Sequence, residues 1–192
     1  VDLNQKSLNK IQKGITPFYE IGAEKILNES LKSKKLIFST NLQTIKKSKY
    51  IIICIGTPIN SKLQPQTKKF FNFFNKLFKY INKKQIIIIR SSVFPGVIEK
   101  IAKKFKSLNN NIAYCPERIV QSKALIELPI LPQIISGNSK KSITDSKKLF
   151  RLICSQTIET SILEAELIKL FSNAWRYINF SITNQFYFIS EN

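Results

Sequence analysis

The runs Tyr50-Ile51-Ile52-Ile53-Cys54-Ile55-Gly56-Thr57-Pro58 and Ile86-Ile87-Ile88-Ile89-Arg90-Ser91-Ser92 decide the fold. Neither alternates apolar with polar residues, so each predicts a strand covered on both faces, as in the middle of a parallel sheet. Further strands are expected at residues 112–114 and 133–135, with weaker ones at 36–38 and 157–160. Between them, apolar residues recur at helical spacing over roughly 5–13, 21–32, 67–80, 96–106 and 142–153. Strand and helix alternate, which predicts an α/β domain with a parallel sheet and right-handed crossovers.

From about Ile162 the pattern changes. Leu163, Leu167, Leu170, Ala174, Tyr177 and Ile178 keep a helical spacing to about Phe188 with no Pro or Gly, which predicts one long helix. Such a helix after a series of β-α units leaves the sheet domain for a second domain or a partner subunit. The expected division is a sheet domain over 1–160 and a connecting helix over 161–192.

The chain has 192 residues, 43% of them hydrophobic, enough for one sizeable core. Its formal net charge of +19 raises the question of nucleic acid or anionic membranes. The lysines, however, are spread over almost every polar stretch, and arginine occurs only at Arg90, Arg118, Arg151 and Arg176. That reads as compositional bias, so neither nucleic acid nor membrane is an expected partner, and a basic nucleic-acid-binding α/β module is the distant alternative. There is no His, which removes imidazole catalysis and His-containing metal sites, and no metal is expected. Cys54, Cys115 and Cys154 are odd in number and far apart, which favours a reducing cytoplasm over a disulfide framework. No apolar run is long enough to span a membrane. With no Met and no leader pattern, the chain looks like an internal piece of a longer polypeptide.

In an open parallel sheet, ligands bind at the carboxyl ends of the strands. Four segments there carry chemistry. Asp2 would follow a truncated strand; in a dinucleotide fold an acid there takes ribose hydroxyls, and otherwise it is a helix N-cap. Gly56-Thr57-Pro58 offers backbone N–H groups and a hydroxyl, or is simply a turn. Ser91-Ser92-Val93-Phe94-Pro95-Gly96 presents two hydroxyls before a helix, for an anion or polar cofactor edge or for local capping. Tyr114-Cys115-Pro116-Glu117-Arg118-Ile119 packs a thiol, a carboxylate and a guanidinium into four residues, a density that is less often accidental, although a surface ion pair would also account for it. Cys115, with apolar neighbours and no His base, reads as inert and half-buried. On the last helix Lys169, Asn173 and Arg176 stand at i, i+4 and i+7, one face that could converge on an anionic ligand or be solvated, with Glu166 just before them.

In order and spacing, these segments resemble the UDP-glucose/GDP-mannose dehydrogenase family, NAD-dependent enzymes that oxidise C6 of a nucleotide sugar to a uronic acid. The resemblance runs through Val1-Asp2-Leu3-Asn4, Pro17-Phe18-Tyr19-Glu20, Gly56-Thr57-Pro58-Ile59, Ser91 to Gly96, Tyr114 to Arg118, and Glu166-Leu167-Ile168-Lys169-Leu170-Phe171-Ser172-Asn173. The Cys-Pro-Glu-Arg run, Lys123-Ala124-Leu125 and a Leu-Pro-Gln strand entry are most similar to branches acting on UDP-N-acetylhexosamines, UDP-N-acetylmannosamine above all.

The resemblance implies a Rossmann-like sheet whose first strand and Gly-rich turn lie before Val1, and a long helix that opens a central dimerisation domain. It implies that Asp2, Thr57, Ser92 and Gln121 bind NAD, although Gln121 stands where many members carry a second Glu and Ser92 where Thr is more usual. Glu117 would serve acid/base chemistry around thioester hydrolysis, Lys169 would stabilise the oxyanion at C6, and Asn173 would fix a water or substrate oxygen. Arg118, Ile119 and Arg176 match substrate-contacting positions. The implied substrate is UDP-N-acetylmannosamine or a related UDP-sugar, with UDP-glucose or GDP-mannose as alternatives, and the implied setting is surface polysaccharide biosynthesis by a cytoplasmic homodimer. The nucleophilic Cys would lie beyond Asn192, so this segment alone is expected to be inactive.

Overall fold

The computed structural model describes residues 1–57, 60, 61, 64, 66–106 and 111–191. Its centre is a five-stranded sheet in the order β1 (Tyr50–Ile53), β2 (Ile86–Ile89), β3 (Asn111–Tyr114), β4 (Gln133–Gly137), β5 (Thr157–Glu159). Seven α-helices accompany it among the described residues: α1 (Gln5–Gln12), α2 (Ala23–Lys32), α3 (Thr67–Leu77), α4 (Val97–Lys104), α5 (Ala124–Ile130), α6 (Lys140–Phe150) and α7 (Ile162–Glu191). The four main strands and the five periodic helical stretches thus stand close to where the sequence puts them.

The isoleucine runs explain the layering. In β2 all four isoleucines are fully buried. Ile87 and Ile89 face a cluster with Phe70, Phe74 and Leu77 of α3 and Ile98 and Ile101 of α4. Ile86 and Ile88 face the other way, against Phe150 at the end of α6. Apolar residues at 70, 74 and 77 of α3 give the single stripe that such a face needs.

Four expectations are corrected. The strand expected at 36–38 is absent; that stretch is irregular, and Ile37 is exposed, with no strand among the described residues pairing with it to reward extension. β1 is not covered on both faces: Ile51 and Ile53 are buried but Ile52 is 49% exposed. Ile52 is in register with Ile88, and on that face α6 packs chiefly on β4, β3 and β2. Third, the sheet is mixed, because β3 and β4 are antiparallel, Ala113 opposite Gly137 and Tyr114 opposite Ser136. Seven-residue α5 rises only about 10 Å, too little to carry the chain back across the sheet, so β4 enters from the edge where β3 ended. The fourth is α5 itself, unannounced by the sequence pattern because Pro129 lies inside it and the Leu-Pro-Gln run reads as a strand entry.

The reversal has a functional consequence. The carboxyl ends of β1, β2 and β3 and the first residue of β4, Gln133, share one edge, so Arg90 can reach across the sheet to Gln133.

Candidate active site at the carboxyl edge of the sheet

On the β1 and β2 side the site is built mainly from backbone. Gly56 leaves open space where a side chain would begin, with nothing within 4 Å. The hydroxyl of Thr57 donates to the carbonyl of Ser92 (2.7 Å), joining the two strand ends. Pro58 and Ile59 of that turn lie outside the described residues. Ser91 is buried, its hydroxyl without a partner among the described residues, and Ser92 is half-buried. Asp2 is not the N-cap of α1. That cap is Asn4, which accepts from the N–H of Ser7, while the Asp2 carboxylate accepts from the N–H of Asn4 (2.8 Å) and braces it. Asp2, Ile52, Cys54 and Gly56 line one recess of about 840 Å³ beside β1.

The β3 side is built from charged side chains. Glu117 accepts through Oε1 from the N–H groups of Arg118 (2.7 Å) and Ile119 (2.9 Å), and its Oε2 is paired with Arg90. Arg90, its side chain only 9% exposed, also donates to Gln133 Oε1 (2.9 Å) and lies 4.9 Å over the ring of Phe150. Burial pushes the Arg90 guanidinium down from its ordinary value, with the thiols of Cys54, Cys115 and Cys154 opposing the shift. Glu117 therefore has its oxygens engaged by three donors, which fixes it better than it frees it to exchange protons.

The third wall is α7. Lys169 Nζ donates to the carbonyl of Glu117, and Arg176 to the carbonyl of Arg118 (3.2 Å). Both contacts lie on the face the i, i+4, i+7 spacing marked, and Asn173 stands between them, half-buried. Arg118 donates in turn to the carbonyl of Pro132 (2.7 Å), and Ile119 is half-buried beside it. Burial first, then the charges of Arg176, Arg90 and Arg118, pull the Lys169 ammonium down from the usual lysine range. Arg90, Arg118, Lys169 and Arg176 thus gather around the Glu117 turn, a local excess of positive charge.

Gln121 is exposed in a turn next to Ser122, whose φ is +71°. Cys115 is fully buried, deeper than its expected half-burial, because it points into the β2–α6 cluster. Burial pushes its thiol up to about 12.

Three residues of the site were given no role by the sequence, although Glu20 and Glu166 lie in the motifs that carry the resemblance. Arg90 ends an all-isoleucine strand, an unusual place for a charge in a chain with so few arginines. Glu166 is fully buried and accepts from the N–H groups of Gly96 (2.6 Å) and Ile98 (2.9 Å). Glu20 accepts from the N–H of Ala124 (2.7 Å), fastening the Pro17–Glu20 loop to the segment that follows Gln121.

Comparison with known proteins decides the family. The model of the UDP-glucose/GDP-mannose dehydrogenase family, NAD binding domain, matches residues 1–154. The chain belongs to this family. It is 30% identical, over 97% of its length and 44% of the relative's, to UDP-N-acetyl-D-mannosamine dehydrogenase of Methanococcus maripaludis. It is 28% identical, over 96% of its length and 44% of the relative's, to UDP-glucose 6-dehydrogenase of Rickettsia conorii. The solved structure of the UDP-N-acetyl-D-mannosamine dehydrogenase of Pyrococcus horikoshii superposes with a TM-score of 0.88 at 26% identity, over 98% of this chain and 47% of that one. The chain spans about half the length of the curated relatives it matches. Among the described residues no helix is long and apolar enough to cross a membrane.

Proposed function

We propose that the protein carrying this segment oxidises C6 of a nucleotide sugar to the uronic acid with NAD, and that UDP-N-acetylmannosamine or a related UDP-sugar is its substrate. The observation that carries this reading is the convergence of Lys169 and Arg176 on the backbone of Glu117 and Arg118, beside strand ends of an NAD-binding domain. UDP-N-acetylmannosamine is favoured by the name shared among several relatives; the Rickettsia relative keeps UDP-glucose as the second reading, with GDP-mannose behind it.

The residues fit the cofactor. The free space over Gly56, the tied ends at Thr57 and Ser92, and the recess lined by Asp2 form an open backbone cradle along one edge. Asp2, Thr57 and Ser92 would hold NAD there, with Gln121 approaching from the loop after β3. When bound, NAD supplies a hydride acceptor.

This chain's own side chains do the rest. Lys169, held at the Glu117 carbonyl, offers a desolvated cation to the oxyanion that develops at C6. Asn173, one turn on, orients a water or the substrate oxygen, while Arg118, Ile119 and Arg176 contact the substrate. Glu117 serves acid/base chemistry only by giving up one of its three donors. Cys115, buried and with its thiol raised to about 12, is a poor nucleophile, and in this reading the nucleophilic Cys lies in another segment, without which these residues would not turn over.

The same reading divides the chain into an NAD-binding domain over 1–160 and a connecting helix over 161–192. Trp175, Phe180, Phe186 and Phe188 of α7 are each at least 60% exposed, an apolar surface suited to a second copy and hence to a homodimer. The free cysteines accord with a cytoplasmic enzyme, and surface polysaccharide biosynthesis is the natural use of a uronic acid product. The test is a turnover assay of the full-length protein against UDP-N-acetylmannosamine, UDP-glucose and GDP-mannose with NAD. Reduction of NAD with the UDP-sugars, fastest with UDP-N-acetylmannosamine, is expected. No reduction with any of the three would reject the proposal.

A further inference from the structure

A helix of 30 residues, α7 has only two fully buried among those described, Ala165 and Glu166. Ala165 joins the main apolar cluster, and such contacts are non-directional: they hold a helix down without fixing its rotation or slide. Glu166 is different. A carboxylate with 0% exposure is costly unless it is well bonded, and here two backbone N–H groups at the start of α4, those of Gly96 and Ile98, meet its two oxygens separately. A bidentate acceptor at a helix N-terminus has one place to sit, so it sets α7 in one register.

What Glu166 touches makes that register matter. The turn it caps continues directly from Ser91 and Ser92 on the cofactor side. Its charge also acts on Tyr114, the last residue of β3, whose buried hydroxyl is raised by burial first and by this carboxylate second. Three residues after Tyr114 comes Glu117, and three residues after Glu166 comes Lys169, whose ammonium reaches the Glu117 carbonyl.

From this geometry we infer that Glu166 is the positioning residue of the site: by seating α7 on the turn that opens α4 it places Lys169 against Glu117. The inference rests on the proposed function only for its effect on turnover; the placement of Lys169 is open to test in the chain itself.

The test replaces Glu166 by Gln, which keeps the shape but presents an NH2 group to one of the two N–H donors. Trace acetylation of the folded chain, read by mass spectrometry, compares Lys169 with exposed Lys103 and with half-buried Lys147, which pairs with Glu159 far from α4. In Glu166→Gln, Lys169 is expected to become about threefold or more reactive while Lys147 is unchanged, the mark of local release instead of general loosening. Unchanged protection of Lys169, or an equal rise at Lys147, overturns the inference. If Glu166→Gln does not fold, Glu166→Asp carries the same comparison, since it keeps the charge and shortens the reach by one methylene.

In the full-length protein, Glu166→Gln is expected to lower kcat about tenfold to hundredfold with KM for NAD changed by no more than about twofold. Lys169→Ala in the same assay separates the two levels. If the unaltered protein shows no turnover, the proposed function falls; if Lys169→Ala retains turnover, the role given to Lys169, and with it the effect of Glu166 on turnover, falls; if Lys169→Ala loses turnover while Glu166→Gln keeps a normal kcat, only the role given to Glu166 falls.

Discussion

The two sides of the cleft are made of different materials. At the ends of β1 and β2 the surface, among the described residues, is mainly backbone, a glycine and hydroxyl residues, and a side-chain bond from Thr57 to Ser92 draws the strands together. At the end of β3 charged side chains interlock the structure, Arg90 with the side chains of Glu117 and Gln133, Lys169 with the backbone carbonyl of Glu117, Arg176 with that of Arg118. The first side can accept a flat, extended ligand because little projects from it. The second is preorganised around charge, and loss of one member leaves others unpaired. Damage to the first side should be mild and local, whereas damage to the second should reach chemistry and stability together.

The largest effect is expected at Lys169. In the full-length protein Lys169→Ala should lower turnover by roughly a hundredfold or more, the usual worth of a positioned oxyanion stabiliser, with a smaller change in NAD affinity. Steady-state kinetics with titration of NAD checks it. Equal loss of turnover and NAD affinity would erase the division between the two sides.

Next comes Arg90. Arg90→Met should destabilise the chain by about 2–3 kcal/mol, below the 3–5 typical of a broken buried pair because Glu117 keeps two backbone donors. Urea unfolding measures it. A loss under about 0.5 kcal/mol would make the pair an ordinary surface contact.

Thr57→Val should cost about 1 kcal/mol, a single hydrogen bond, and lower the melting temperature by a few degrees. A cost as large as that of Arg90→Met would mean that the β1–β2 side is as interlocked as the other.

The smallest effect on activity is expected at Cys115. Cys115→Ser should leave most turnover intact, and loss beyond about a thousandfold would mark it as the nucleophile after all. Its pH signature is separate. The folded thiol is raised to about 12, so its contribution is fully present below the ordinary thiol range and is lost as pH rises toward 12, where only the unfolded chain has already ionised. Cys115→Ser should therefore lose less stability than the parent chain between pH 9 and pH 12, measured by urea unfolding across that range. Parallel losses would contradict a buried, neutral thiol.

How much of this was legible beforehand follows the same division of materials. The strands show because unbroken isoleucine has one economical use in a small α/β domain, and the ends of those strands then mark the edge where chemistry sits. The cation face of α7 shows because helical spacing is regular enough to place Lys169, Asn173 and Arg176 together before any fold is known. The direction of β4 does not show, since it depends on how far a seven-residue helix interrupted by Pro129 can carry the chain. The roles of Arg90 and Glu166 do not show either, although Glu166 stands in a recognised motif. Their importance comes from burial beside partners 43 and 70 residues away in sequence, and a charge destined for the interior looks the same as a solvated one. Ile52 misleads for the opposite reason: an apolar run predicts cover, but cover depends on which strands α6 happens to reach.

The most direct measurement follows the hydride. The full-length protein is given NAD and UDP-N-acetylmannosamine carrying deuterium at C6, and the reduced nicotinamide is analysed by mass spectrometry. Deuterium on the nicotinamide, formed at a rate that Lys169→Ala cuts by roughly a hundredfold or more, is the expected result. Deuterium retained by the sugar while NAD is reduced, or transfer that proceeds undiminished without Lys169, would contradict a C6 dehydrogenase built around this lysine.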